Sequence, residues 1–177
     1  LQVGHRARLV EAQRQMTNRA LHYVPRVLAQ TGIPDQPEGD FIPESLVGIA
    51  SDGRRIDTLA YGAVTEAKTA IGEGASTAQA LEAGSTWLDL MVKLQVADAA
   101  RQAVGVMTAS RKNLGGTVRV LKPPSCQRCA ILAGRFYRWS QGFDRHPRCD
   151  CVNLPARHAA WAKAEGFITD PLDAYRQ

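Results

Sequence analysis

Residues 126–151 read CQRCAILAGRFYRWSQGFDRHPRCDC, and they hold all four cysteines of the 177-residue chain and one of its four histidines. Cys126 and Cys129 form a C-x-x-C pair. After sixteen intervening residues come His146, Cys149 and Cys151. A C-x-x-C turn sets two sulfurs on one side of a tight loop, and a second donor pair from a distant loop then closes a tetrahedron, the geometry that zinc takes with sulfur and imidazole ligands. Four ligands suffice, so one of the five donors is spare. The expected set is Cys126, Cys129 and His146 with Cys149 or Cys151 as the fourth. On an extended chain Cys149 and Cys151 would point in opposite directions. The window is small and poor in aliphatic residues, which makes a metal cross-link useful to it. Two other chemistries fit the same residues. An even cysteine count fits two disulfides. Arg128 beside a thiol would favour a reactive thiolate, although no carboxylate or second histidine lies near in sequence to complete a catalytic set.

Working outward, the segment before the window, TVRVLKPPSC, alternates β-branched residues and stops at Pro-Pro. RFYRW is a second candidate strand, and the two can pair as a short hairpin around the cysteines. Phe136, Tyr137, Trp139 and Phe143 are candidates to pack about the site. Upstream the texture is helical. Ile56, Leu59, Ala60, Ala63, Val64, Ala67 and Ile71 keep helical spacing from Arg54 to Gly72. GEGAST breaks the pattern, and Ser76 or Thr77 can cap a long helix to Lys112. Its buried face would carry Leu81, Leu88, Met91, Leu94, Ala97, Val104 and Met107. A first helix is expected over 3–30, ended or kinked at Pro25. The Gly/Pro/Asp-rich passage that follows contains Phe41, Ile42, Leu46, Val47 and Ile49. It is expected to pack on the protein, with a short helix opening at Pro43. HAAWAKAEGF is a candidate last helix. His5, His22 and His158 read as ordinary residues, and Trp87, Trp139 and Trp161 as packing anchors. The fold class is therefore α+β, mainly helical: long helices followed by a small β-hairpin module stapled by a Cys/His metal site. The expected segments are 1–53 (helix and packed loop), 54–115 (long-helix body), 116–155 (Cys/His module) and 156–177 (tail).

Charge is unevenly spread. The net charge is +5, yet residues 101–163 hold 12 Lys/Arg against 2 Asp/Glu, while residues 1–100 hold 9 against 12. A basic segment of this kind points to an anionic partner, nucleic acid first. The competing reading is that some of these arginines offset metal-bound thiolates. No apolar run approaches the roughly 20 residues of a membrane span. Leu1–Val10 carries His5, Arg6 and Arg8 without a long apolar block, so no secretory signal is expected. The first residue is Leu rather than Met, so the chain is expected to be a fragment, a processed product or part of something longer.

The window resembles the C-terminal signature of Mu F-like minor head proteins of tailed bacteriophages. The matching residues are Cys126, Cys129, Leu132, Gly134, His146, Pro147, Cys149 and Cys151. LQVADAARQAVGVMTA and VRVLKPPSC look like the versions found in phages of actinobacteria, and the resemblance runs from Asp52 to Pro155. It implies a non-enzymatic structural component of the virion, inside the capsid near the portal vertex. Such a component is present in several copies and supports head assembly and DNA packaging or ejection. It also implies the portal protein and the major capsid protein as partners, packaged DNA as a further one, no membrane, and zinc in the C-terminal module. Inside a packed head, phosphate contacts from Arg135, Arg138, Arg145 and Arg148 would be filled even if individually weak. Two alternatives stand beside this reading: a zinc-stapled DNA-binding module, and an enzyme. Some relatives are labelled capsid maturation proteases, but this sequence has no Ser/His/Asp or metal-protease pattern. A thiol-dependent enzyme would need one cysteine whose loss stops turnover without unfolding the domain.

Overall fold

The computed structural model describes residues 3–121, 125–141, 146, 149 and 151–168. The protein is α+β and mainly helical, with one small antiparallel sheet. In chain order the elements are α1 (Val3–Gln30), α2 (Leu59–Gly72), α3 (Thr77–Ala109), β1 (Gly116–Val120), α4 (Gln127–Ile131), β2 (Phe136–Arg138), β3 (Val152–Ala156) and α5 (Ala159–Ala164). Short 3₁₀ turns cover Pro43–Leu46 and Ile56–Thr58, the first opening at Pro43 as its fixed φ favours. No helix among the described residues is long and apolar enough to cross a membrane.

Two compact units result, and each is discontinuous in sequence: Leu1–Thr17 with Pro43–Ala100, and Asn18–Ile42 with Arg101–Gln177. This grouping differs from the consecutive segments expected at 1–53, 54–115, 116–155 and 156–177. The physical reason is length: α1 and α3 each contribute residues to both units.

In the first unit Leu9, Ala50, Ile56 and Leu59 form a core, with Val10, Leu88, Met91, Val92 and Val96 packed against it. The Gly/Pro-rich loop is held to the helices by amide side chains. Buried Gln13 donates to the Ile49 carbonyl and accepts from the Gly48 N–H, both at 2.9 Å. Gln95 accepts from the Ser51 N–H at 2.6 Å. Ser76 and Gln79 form a capping box at the start of α3: the Ser76 N–H donates to Gln79 Oε1 at 2.9 Å, and the Gln79 N–H donates to Ser76 Oγ at 3.4 Å. Helix α2 departs from the expected stripe. Ile56 and Leu59 are buried, but Val64 is 51% and Ile71 53% exposed, and Leu81 on α3 is 65% exposed. The small residues are what bring the two helices close: a Cβ on Gly84 would stand 2.7 Å from the Ala63 carbonyl oxygen and 3.3 Å from Ala67 Cβ, and one on Gly62 would meet the Trp87 ring.

In the second unit α1 continues through Pro25. An interior proline costs about 3 kcal/mol, and its neighbours Val24, Val27 and Leu28 are buried, which offsets that loss. The loop after α1 is tied to the end of α3. Arg111 donates to Asp35 at 2.7 Å, Asn113 to the Pro34 carbonyl at 2.6 Å, and the Glu38 N–H to the Ser110 carbonyl at 2.8 Å.

The sheet is not a two-stranded hairpin. Its order is β2-β1-β3, with Gly116–Val118 paired to 136–138 and Gly116–Val120 paired to 152–156, both antiparallel. Pro155 lies opposite Thr117, a place open to proline because β3 is an edge strand. Val118, Ala156 and Ala162 are buried together, joined by Val120, Phe136, Leu154, Trp161 and Phe167. Trp161 therefore packs as an anchor, Phe136 packs in this cluster rather than about the cysteines, and Trp139 is 66% exposed. Phe143 lies outside the described residues. His158 caps α5, its Nδ1 accepting from the Trp161 N–H at 3.1 Å.

Candidate metal centre

Successive residues of a strand face opposite sides, and β1 uses both. Val118 and Val120 join the apolar cluster. Arg119 and Leu121 face the other way, onto the cysteines. Cys126 caps α4, its sulfur accepting from the Cys129 N–H at 3.4 Å, so the C-x-x-C pair occupies one helical turn. Across from it, the Cys149 N–H donates to the His146 carbonyl at 3.1 Å, a second turn of the same length. Cys151 follows directly before β3.

These turns bring all five predicted donors together. His146 Nε2 is 3.0 Å from Cys126 Sγ and 3.1 Å from Cys129 Sγ. Cys129 Sγ is 3.6 Å from Cys149 Sγ and 3.5 Å from Cys151 Sγ. Two triads share Cys129: one with Cys126 and His146, the other with Cys149 and Cys151. Cys126 is exposed and the other three cysteines are buried. Cys149 and Cys151 do not point apart, since their sulfurs are 2.6 Å from each other. The Cys149 N–H bond back to the His146 carbonyl is not one an extended strand makes. None of the four cysteines is joined in a disulfide here.

Two residues that the sequence reading did not assign to the centre belong to it. Arg119, 1% exposed, donates through Nε to Cys151 Sγ at 3.2 Å and through Nη2 to Cys129 Sγ at 3.5 Å and Cys149 Sγ at 3.6 Å. Arg101 on α3 donates to the carbonyls of Cys149 at 2.5 Å and Cys151 at 3.2 Å, fixing the backbone that carries both sulfurs. The period-2 alternation of TVRVL was the available signal for Arg119, because it sets that residue on the face opposite Val118 and Val120. Nothing local in sequence marks Arg101.

Without a metal the thiols sit in opposed fields. Burial pushes Cys129 and Cys151 up, reinforced for Cys129 by the hydrogen bond with Cys151 and for Cys151 by that with Cys149. Burial also acts upward on Cys149, but hydrogen bonds from Cys151 and Cys129 and the charge of Arg119 outweigh it and hold that thiol below its ordinary value. Burial disfavours the Arg119 cation, and its bonds to Cys151 and Cys129 more than restore it. A bound dication would override this balance, since a coordinating thiol is deprotonated outright. The donor set of sulfur and imidazole, with no carboxylate in either triad, suits a borderline-soft dication in four-coordinate geometry.

The expected nucleic-acid residues are less gathered. Arg135 and Arg138 are exposed, Arg135 stacking over the Tyr137 ring at 5.5 Å, while Arg145 and Arg148 lie outside the described residues. Several other cations of the basic segment are engaged within the protein: Arg101 and Arg119 at the cysteines, Arg111 with Asp35, and Lys112 with Glu38. For Arg119 the thiolate-offsetting reading of the charge excess is the one that fits.

Fold and site together define a small α+β protein with a partly buried Cys/His cluster that could hold a metal ion. No family model, curated protein or solved structure matches the chain.

Proposed function

We propose that the chain is a non-enzymatic structural component of a tailed-phage head, stapled by one zinc ion and seated near the portal vertex. The observation that carries this reading is the donor cluster itself: the C-x-x-C and His-Pro-x-Cys-x-Cys donors of the minor head signature meet in one place, with three of the four cysteines buried. Three buried cysteines under a buried arginine favour a structural staple over a reactive thiol, which needs exposure to its substrate. Zinc supplies no redox chemistry and no nucleophile in a closed four-ligand site; it cross-links two turns that have little apolar area of their own. Tyr61, Val64 and Ile71, exposed on α2 and on one face by their spacing, support docking on protein partners, the portal and major capsid proteins in this reading. The decisive experiment is quantitative mass spectrometry of purified DNA-filled heads of the phage that encodes the chain. Several copies per particle, recovered in cross-links to the portal, are expected. Heads that lack the chain overturn the proposal.

A second reading, a zinc-stapled DNA-binding module, has one observation in its favour: exposed Arg135, Arg138 and Trp139 lie on or beside edge strand β2. It requires binding of the isolated chain to bare DNA that weakens steeply with salt.

A further inference from the structure

Five donors surround a site that needs four, and a guanidinium already sits against three of the sulfurs. Three observations decide how these groups divide. First, Cys126 with Cys129 and His146 with Cys149 are two pairs of donors three residues apart, the Cys129 N–H donating to the Cys126 sulfur and the Cys149 N–H to the His146 carbonyl. The two pairs meet at Cys129, whose sulfur lies 3.1 Å from His146 Nε2 and 3.6 Å from Cys149 Sγ. Second, Cys151 belongs to neither pair. It is the deepest of the four cysteines at 0% exposure. The strand that directly follows it is locked by the Val120–Val152 pairing. Its sulfur makes the shortest of the Arg119 contacts, 3.2 Å. Third, the charges close. Three thiolates, a neutral imidazole and a dication sum to −1, and one arginine cancels that. A fourth thiolate would leave an uncompensated buried charge, which costs several kcal/mol.

We infer that the centre is mononuclear, with Cys126, Cys129, His146 and Cys149 as its ligands and Cys151 a thiol outside the coordination sphere. Arg119 is the positioning residue that neutralises the metal–thiolate unit. The inference rests on the metal reading above and deepens it. A second ion in the triad of Cys129, Cys149 and Cys151 is opposed by the cation already bonded to all three sulfurs.

The test uses the full chain purified natively, its metal counted by elemental analysis, then exchanged for cobalt(II), whose thiolate charge-transfer band scales with the number of coordinating sulfurs. One metal per chain is expected. Cys151→Ser should keep one metal and the full band, whereas Cys149→Ser should lose a third of it. If Cys149→Ser does not fold, Cys149→His restores a fourth donor and should show the same loss of a third. Arg119→Met should release zinc to a chelator about tenfold to a hundredfold faster, the usual effect of an outer partner on affinity, with Arg119→Lys in between. Two ions per chain, a band that falls in Cys151→Ser but not in the Cys149 variants, or an unchanged release rate in Arg119→Met overturns the inference while leaving a metal centre in place. A wild-type chain that neither carries nor takes up zinc or cobalt overturns the metal reading itself.

Discussion

Arg111 is 4% exposed and carries a full charge. It spends that charge on Asp35 at 2.7 Å and on the Met107 carbonyl at 2.6 Å, joining the loop after α1 to the end of α3. Removing one partner of a buried pair costs more than the pair contributes, because the group left behind has lost water and gained nothing. Asp35 is partly open to solvent, 34% exposed, which softens the loss. Arg111→Ala should therefore lower stability by about 2 kcal/mol, read as a drop in the urea midpoint with an unchanged slope. No change in midpoint would mean that the ion pair does not bear on folding. The same logic separates the basic residues of this chain into two kinds. Arg111 and Arg119 are structural cations inside the protein, whereas Arg128, Arg135, Arg138, Arg157 and Lys163 of the basic segment are exposed and open to a phosphate.

At the scale of elements, β1 is the strand on which the sheet depends. Gly116 opens it where a Cβ would stand 2.8 Å from the Tyr137 carbonyl carbon and 2.9 Å from Arg138 Cα. Both are backbone atoms and cannot turn aside. Gly116→Ala should cost about 1–3 kcal/mol and strip hydrogen-exchange protection from 116–120 before the helices are affected; protection equal to wild type would refute the close approach. How well sequence foretold these elements follows from where their signals lie. The α2–α3 break at GEGAST is local, Gly74 taking φ 95° and Ser76 capping the next helix, and it was legible. Strand β3 was not, because VNLPA carries a proline and weak alternation, and its pairing is dictated by the register against β1 rather than by its own residues. The five donors were legible from spacing alone. The shared direction of Cys149 and Cys151 was not, since it depends on a turn back to His146. Trp139 reads as an anchor by residue type, yet it falls just beyond the last paired residue of β2.

For the molecule as a whole, metal is predicted to matter unevenly. The first unit has its own apolar core around Leu9, Ile56 and Leu59, whereas the cysteine cluster is backed chiefly by Leu121. Chelation should make all four thiols reactive to a disulfide reagent and erase the near-ultraviolet signal of the sheet module while most far-ultraviolet helicity persists. Acidification should act in the same direction, because protons compete with metal for thiolate and imidazole. Thiols that stay silent after chelation would show that packing alone protects them. The sheet order has a different consequence during synthesis. Its central strand is made first, and its longest-paired neighbour, β3, last. A ribosome adding about 5–20 residues per second leaves β1 waiting several seconds for the roughly 40 residues that end at Ala156. For that interval Arg119 and the C-x-x-C pair have emerged while His146, Cys149 and β3 have not. The nascent chain thus passes through a stage with a half-formed ion trap, open to whatever metal or aggregating strand reaches it first.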